Sequence, residues 1–137
     1  MERKDYLMRY IEQLGIVLAA LLGFRKKGDS SGGLEAIDEA LKEMTGMDSQ
    51  VVNAIHEDLL VTELTVRQNL LPDQVRFIAE MLFWEGEFYG IGNTKEEAIH
   101  RYRKAYLLYR YLNEKEKTWS QERADRMHYI ESFIRPQ

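Results

Sequence analysis

Cysteine is absent from this chain of 137 residues. That excludes disulfides, thiolate metal sites and cysteine nucleophiles, and it agrees with a reducing compartment. Proline is nearly absent, with only Pro72 and Pro136. Because proline breaks a helix interior, the scarcity suits long helices. Long hydrophobic runs are missing too. The longest apolar stretch, Leu14–Phe24, has 11 residues, short of the ~20 needed to span a bilayer. It does not read as a secretory leader either. Asp5 and Glu12 interrupt its approach, Arg25-Lys26-Lys27 follows it, and no small-x-small cleavage site appears. The expected setting is therefore cytoplasmic, with no membrane partner.

Histidine is sparse as well. His56, His100 and His128 are never paired at i, i+3 or i+4, so no converging metal ligands are expected. His100 follows Glu96 and Glu97 by one turn, which reads as an exposed Glu–His pair. Glu85 and Glu87 could in principle do acid–base work, but adjacent-turn glutamates on a helix are expected to be solvated. Gly90-Ile91-Gly92-Asn93-Thr94 lacks the lysine and the preceding strand of a phosphate loop. No cofactor and no catalytic residue are expected.

What is present is helical patterning throughout, in one domain over residues 1–137. The net charge of −4 is unevenly spread, with −7 over residues 34–66 and +4 over residues 100–137. Such a split arises when acidic and basic helices pack together; a basic face for an acidic partner is the other reading. A first helix is predicted from Asp5, as cap, to Arg25, with Leu7, Ile11, Leu14, Leu18 and Leu21 as its stripe. Its second half is apolar on nearly every side, so neighbours or a second subunit should wrap it. Residues 28–33 read as a flexible turn. Helices follow over Leu34–Met44 with Gly46 as C-cap, then after caps Asp48 and Ser49, and then around Leu59, Leu60 and Leu64. Pro72 opens a helix that runs to Tyr89. Thr94 and Glu97 form a capping box for the next helix. Ser120 caps a last one, striped by Ala124, Met127, Ile130 and Ile134.

The most specific pattern spans Leu82 to Ala105. Leu82, Gly86, Tyr89, Ala98, Tyr102 and Ala105 fall at the spacings of one tetratricopeptide repeat (TPR), W-x2-L-G-x2-Y…A-x3-F…P. Small Gly86 and Ala98 would let two antiparallel helices approach, while Tyr89 and Tyr102 fill the gaps beside them. Leu82, Glu85 and Arg110 depart from the pattern. A degenerate copy lies upstream, with Gly33, Ile37 and Ala40 in the places of Ala98, Tyr102 and Ala105. Two copies are too few for an extended solenoid.

The opening Asp5-Tyr6-Leu7-Met8-Arg9-Tyr10-Ile11-Glu12-Gln13-Leu14, the Ala36-Ile37-Asp38-Glu39-Ala40-Leu41 helix and Gly46-Met47-Asp48-Ser49 resemble a family of small bacterial TPR-like proteins of unknown function. The resemblance implies a TPR-like helical fold and nothing about activity, because that family has no assigned function. The expectation is an all-α protein, a compact TPR-like stack of antiparallel helical hairpins with six to seven helices.

The function expected is a non-enzymatic protein-interaction module. By the same resemblance, its peptide groove would use Glu80, Phe83, Glu87 and Ile91, with Leu18, Leu22, Arg25 and Lys26 from the degenerate copy; the other reading makes Phe83, Leu18 and Leu22 simply core, and it is preferred for the two leucines. Phe83 would be the anchor, and Arg25 and Lys26 would hold an acidic group. The alternative is a homo-oligomer assembled through the apolar first helix. A small enzyme or a nucleic-acid binder ranks lower. Basic and aromatic residues do mix along residues 100–111, but Tyr102, Tyr106 and Tyr109 recur as a packing stripe.

Overall fold

The computed structural model describes residues 3–117 and 119–134, and side chains from Met8 onward. Among the described residues there are seven α-helices and no strand. They are α1 (Arg3–Lys27), α2 (Ser30–Thr45), α3 (Ser49–Ala54), α4 (Glu57–Thr62), α5 (Pro72–Ile91), α6 (Lys95–Glu116) and α7 (Gln121–Ile134); a π-helical turn, Glu63–Arg67, extends α4. Helix α1 begins at Arg3, so Asp5 stands inside its first turn and is not its N-cap; the Asp5 side chain lies outside the described ones.

Local chemistry sets most boundaries. Gly28 takes a left-handed φ of 68° and ends α1, and its N–H donates to the Arg25 carbonyl at 3.0 Å. Asp29 then caps α2 by accepting from the Gly32 N–H at 2.9 Å. The turn between α1 and α2 is thus two residues, not the six expected. Ser30–Gly33 is already helical because Asp29 supplies the cap and Phe88 of α5 lies directly on Gly33, where a Cβ would collide with its ring. Gly46, at φ 77°, closes α2, and Asp48 caps α3. Pro72 occupies the first turn of α5, and Gln74 accepts from the Leu71 N–H at 2.9 Å.

The capping box at Thr94 does not form. The Thr94 N–H is already spent on the Tyr89 carbonyl, at 2.8 Å, so Glu97 has no N-cap donor to accept from. Glu97 pairs instead with Arg101 one turn later. Ser120 does cap α7, accepting from the Arg123 N–H at 3.2 Å.

Helix α5 is the axis of the molecule. Every residue from Phe77 to Phe88 is buried. It packs against α1, α2 and α6, and α7 packs on α6. The short turns and the cross-contacts make α1/α2 and α5/α6 antiparallel hairpins. Tyr10 donates to the Met44 carbonyl at 2.8 Å, and Arg76 meets Glu116 at 3.5 Å. At the other end of α5 and α6, Gly86 lies under the Tyr102 ring; a Cβ there would fall 2.5 Å from Tyr102 Cε1. Ala98 and Ala105 are fully buried, and Tyr89 carries the Arg101 guanidinium 4.8 Å from its ring centroid.

Helix α1 is wrapped only in part by its own chain. Tyr10 and Leu21 are buried, but Ile11 and Ile16 are 64% and 63% exposed, and Met8 and Leu22 are about half exposed. Within the chain α1 meets α2 and α5 on one side only.

Candidate functional site

Glu80, Phe83 and Glu87 lie at i, i+3 and i+7, on one face of α5. Across from them on antiparallel α6 stand Tyr109 and Tyr102, also seven residues apart. Each phenol therefore reaches one carboxylate. Tyr109 donates to Glu80 Oε1 at 2.6 Å, and Tyr102 donates to Glu87 Oε2. Each carboxylate also has an arginine. Arg126 of α7 reaches Glu80 Oε2 at 3.4 Å, and Arg25 of α1 reaches Glu87 Oε1 at 3.4 Å. Tyr129 of α7 adds a second phenol to Glu87 Oε2, at 2.9 Å.

Burial, reinforced by the carboxylates they serve, pushes Tyr102 and Tyr109 well above the usual phenol range and raises Tyr129. All three stay protonated and able to donate. For Arg126, burial opposes the charge, but the attraction of Glu80 and its neighbours outweighs it, and its pKa is raised.

A third buried carboxylate, Glu85, points toward α3. Ser49 donates to it, Asn53 Nδ2 donates at 3.0 Å, and Arg101 Nε lies 3.7 Å away. Burial raises its pKa, while those partners pull it down. Glu85 and Glu87 are thus enclosed, not solvated as their spacing had suggested. Lys104 is buried as well, and its amine donates to the Asn53 and Ile55 carbonyls at 2.7 and 2.6 Å. It closes the C-terminal end of α3, where a cation is favourable, although burial lowers its pKa.

Helices α1 and α7 flank the Glu80–Glu87 face and leave a groove whose floor is α5. Two cavities open along it. One, of ≈ 400 Å³, is lined by Arg25, Glu87, Gly90, Ile91, Asn93, Lys95, Tyr102, Tyr129 and Phe133. The other, of ≈ 300 Å³, lies toward the opposite end, with Ile11 and Leu14 on one wall and Arg76, Glu80, Tyr109 and Arg123 among the rest. Between them the Arg126 guanidinium sits 4.3 Å from the Phe83 ring centroid, and the Tyr129 ring lies 5.6 Å from it.

That roof corrects the expected anchor. Phe83 is 3% exposed, so a partner cannot reach it. Glu80 is equally buried and lines the smaller cavity, away from Arg25. Arg25, Glu87 and Ile91 do come together around the larger cavity; Lys26 is exposed and does not line it. Lys95, Asn93, Tyr129 and Phe133 were missed. The last two stand at i, i+4 on α7, beside the stripe of Ala124, Met127, Ile130 and Ile134, and that second stripe was the available signal.

The cations differ between the cavities. In the smaller one, Arg123 is held by Glu116 and Asn113 at 2.8 and 2.7 Å, and Arg76 by Glu116 at 3.5 Å. In the larger one, the Arg25 side chain is 51% exposed, and Lys95 is exposed with no ion pair to the described residues. Along residues 100–111, Arg101 and Lys104 turn inward and Arg103 pairs with Glu57 at 3.4 Å, so that helix does not present its cations as one face. Burial and the nearby cations lower the His100 pKa, and among the described residues no three His, Cys, Asp or Glu side chains converge as metal ligands. No described helix is long and apolar enough to cross a membrane. Comparison with protein families, curated proteins and solved structures finds no match to this chain.

Proposed function

We propose that the chain is a non-enzymatic protein-interaction module built from two TPR-like hairpins, α1/α2 and α5/α6, and that the cavity between α1, α5 and α7 receives an acidic, partly apolar group of a partner peptide. The observation that carries this reading is the cavity itself. Its rim holds Arg25 and Lys95, its walls are Ile91, Tyr129 and Phe133, and its floor is a carboxylate already satisfied by two phenols. The charges leave a net positive mouth, which suits an anion, and the aromatic walls suit an apolar neighbour of that anion. Glu87 is a poor general base here, because both its oxygens are engaged, and among the described residues no candidate nucleophile with an activating base accompanies it.

The TPR-like reading rests on the Leu82–Ala105 spacing, on Gly86 under Tyr102, and on α5 packing against both helices of the preceding hairpin. The test is a partner captured by the native chain from its own cells and then titrated against variants. Arg25→Glu and Lys95→Glu should each weaken binding about tenfold, and added salt should weaken it further. Unchanged affinity in both folded variants would remove the cavity from the binding site.

A further inference from the structure

The exposed face of α1 is self-complementary, and the geometry points to its occupant as a second copy of the same helix, packed antiparallel about a two-fold axis through Ala19. This goes beyond the groove, which lies on another side of α1. Glu12, Gly15, Ala19, Leu22 and Lys26 recur at spacings of three and four, so they share one face. All five are exposed. Ile16, 63% exposed, flanks them. Between Glu12 and Lys26 this face carries no charge, which gives a bare apolar strip about 20 Å long.

An antiparallel two-fold at Ala19 sets each residue opposite the one equally far on the other side. Gly15 then meets Gly23, Ile16 meets Leu22, and Glu12 meets Lys26, each pairing made twice. Small residues at the centre let the helix axes approach closely. A Cβ at Gly15 or Gly23 would meet nothing within 4 Å, so that space is open in the single chain. Neither Glu12 nor Lys26 is ion-paired to the described residues, so both charges are available. A parallel pairing in register would set Glu12 against Glu12 and Lys26 against Lys26. An anionic bilayer would meet Lys26 favourably but would repel Glu12 on the same face. Only the antiparallel copy answers both charges. Such an interface is isologous, the commonest kind in homodimers.

The experiment is the mass of the full chain in solution by sedimentation equilibrium, over a range of concentrations at low salt. The wild type should reach twice 16.2 kDa. Glu12→Lys and Lys26→Glu should each raise the dissociation constant at least tenfold, and the double variant Glu12→Lys/Lys26→Glu should recover most of that loss. All these side chains are exposed, and circular dichroism should show unchanged helix in every variant. A wild type that stays monomeric overturns the proposal, as does a dimer indifferent to both reversals. A double variant without recovery overturns the register. Binding to phosphatidylserine-containing vesicles by a chain that stays monomeric would assign the face to lipid instead.

Discussion

Two clusters on α5 share one chemistry and differ in how firmly the arginine is held. Each sets a glutamate against a tyrosine of α6 and an arginine of another helix. Around Glu80 the smaller cavity touches the carboxylate, but the cations beside it are already engaged. Tyr109 is fully buried, and the Arg126 side chain, 26% exposed, is pressed on Phe83. Around Glu87 the arginine is half in solvent and faces the larger of the two cavities, whose other cation, Lys95, is exposed. A buried ion pair seldom adds net stability, but losing one member is costly because the other charge is then stranded. The Glu80 cluster thus behaves as a structural joint between α5, α6 and α7. The Glu87 cluster tolerates change, because water and a second phenol can serve Glu87. Of the two arginines, Arg25 is the more exposed, as the proposed partner site requires.

Alkaline unfolding tests the contrast most strongly. Tyr102 and Tyr109 are raised above the ordinary phenol value of 10.0. The folded chain therefore keeps protons that the unfolded chain releases. Their contribution is full below pH 10 and is lost as the pH rises above it, at about 1.4 kcal/mol per pH unit for each phenol. Lys104, lowered below 10.5, acts in the opposite sense, but its effect ends as the pH passes that value. Urea unfolding between pH 9 and 12 should show the steep fall, and Tyr109→Phe should flatten it. Ultraviolet titration of the folded chain should find Tyr129, at the cavity, ionising before either.

At neutral pH the expected effects are smaller. Tyr109→Phe strands one oxygen of Glu80 and should cost about 2–3 kcal/mol. Tyr102→Phe should cost about 1 kcal/mol, because Tyr129 still donates to the same Glu87 oxygen. Equal costs, measured by urea unfolding, would erase the distinction between the clusters. Gly86→Ala drives a Cβ into the Tyr102 ring and should cost about 1–3 kcal/mol, seen as a lower Tm. Lys95→Glu, on the exposed rim, should change stability by less than about 0.5 kcal/mol while weakening partner binding.

The helices were legible in the sequence because their signals are local. Gly46, Asp48, Pro72 and Ser120 each act through their own backbone neighbourhood, and each stands at a helix end. The turn at residues 28–33 misled because glycine's flexibility says nothing of a ring arriving from α5. Thr94 misled because its N–H was claimed by Tyr89, a partner outside the capping motif. The glutamates of α5 were read as solvated because hydropathy prices a carboxylate alone, without the phenols that satisfy it. Yet Glu80 and Glu87 are spaced by seven, and so are Tyr102 and Tyr109. Once α5 and α6 are taken as an antiparallel hairpin, those spacings place each phenol against a carboxylate. Arg25 and Tyr129 come from distant helices, and no spacing in the chain announces that they meet. In the same way, α1 looked apolar all round, but where neighbours stop covering it depends on the tertiary arrangement alone.

The contrast between the two arginines can be measured directly by urea unfolding of Arg25→Gln beside Arg126→Gln at neutral pH. Arg126→Gln leaves Glu80 buried with Tyr109 as its one remaining close donor and should lose about 2–3 kcal/mol. Arg25→Gln leaves Glu87 with two phenols and an open cavity, and should stay within about 1 kcal/mol of the wild type. Equal losses in the two variants would contradict the contrast, because they would mean that Arg25 is as firmly built in as Arg126 and is not free to meet a partner.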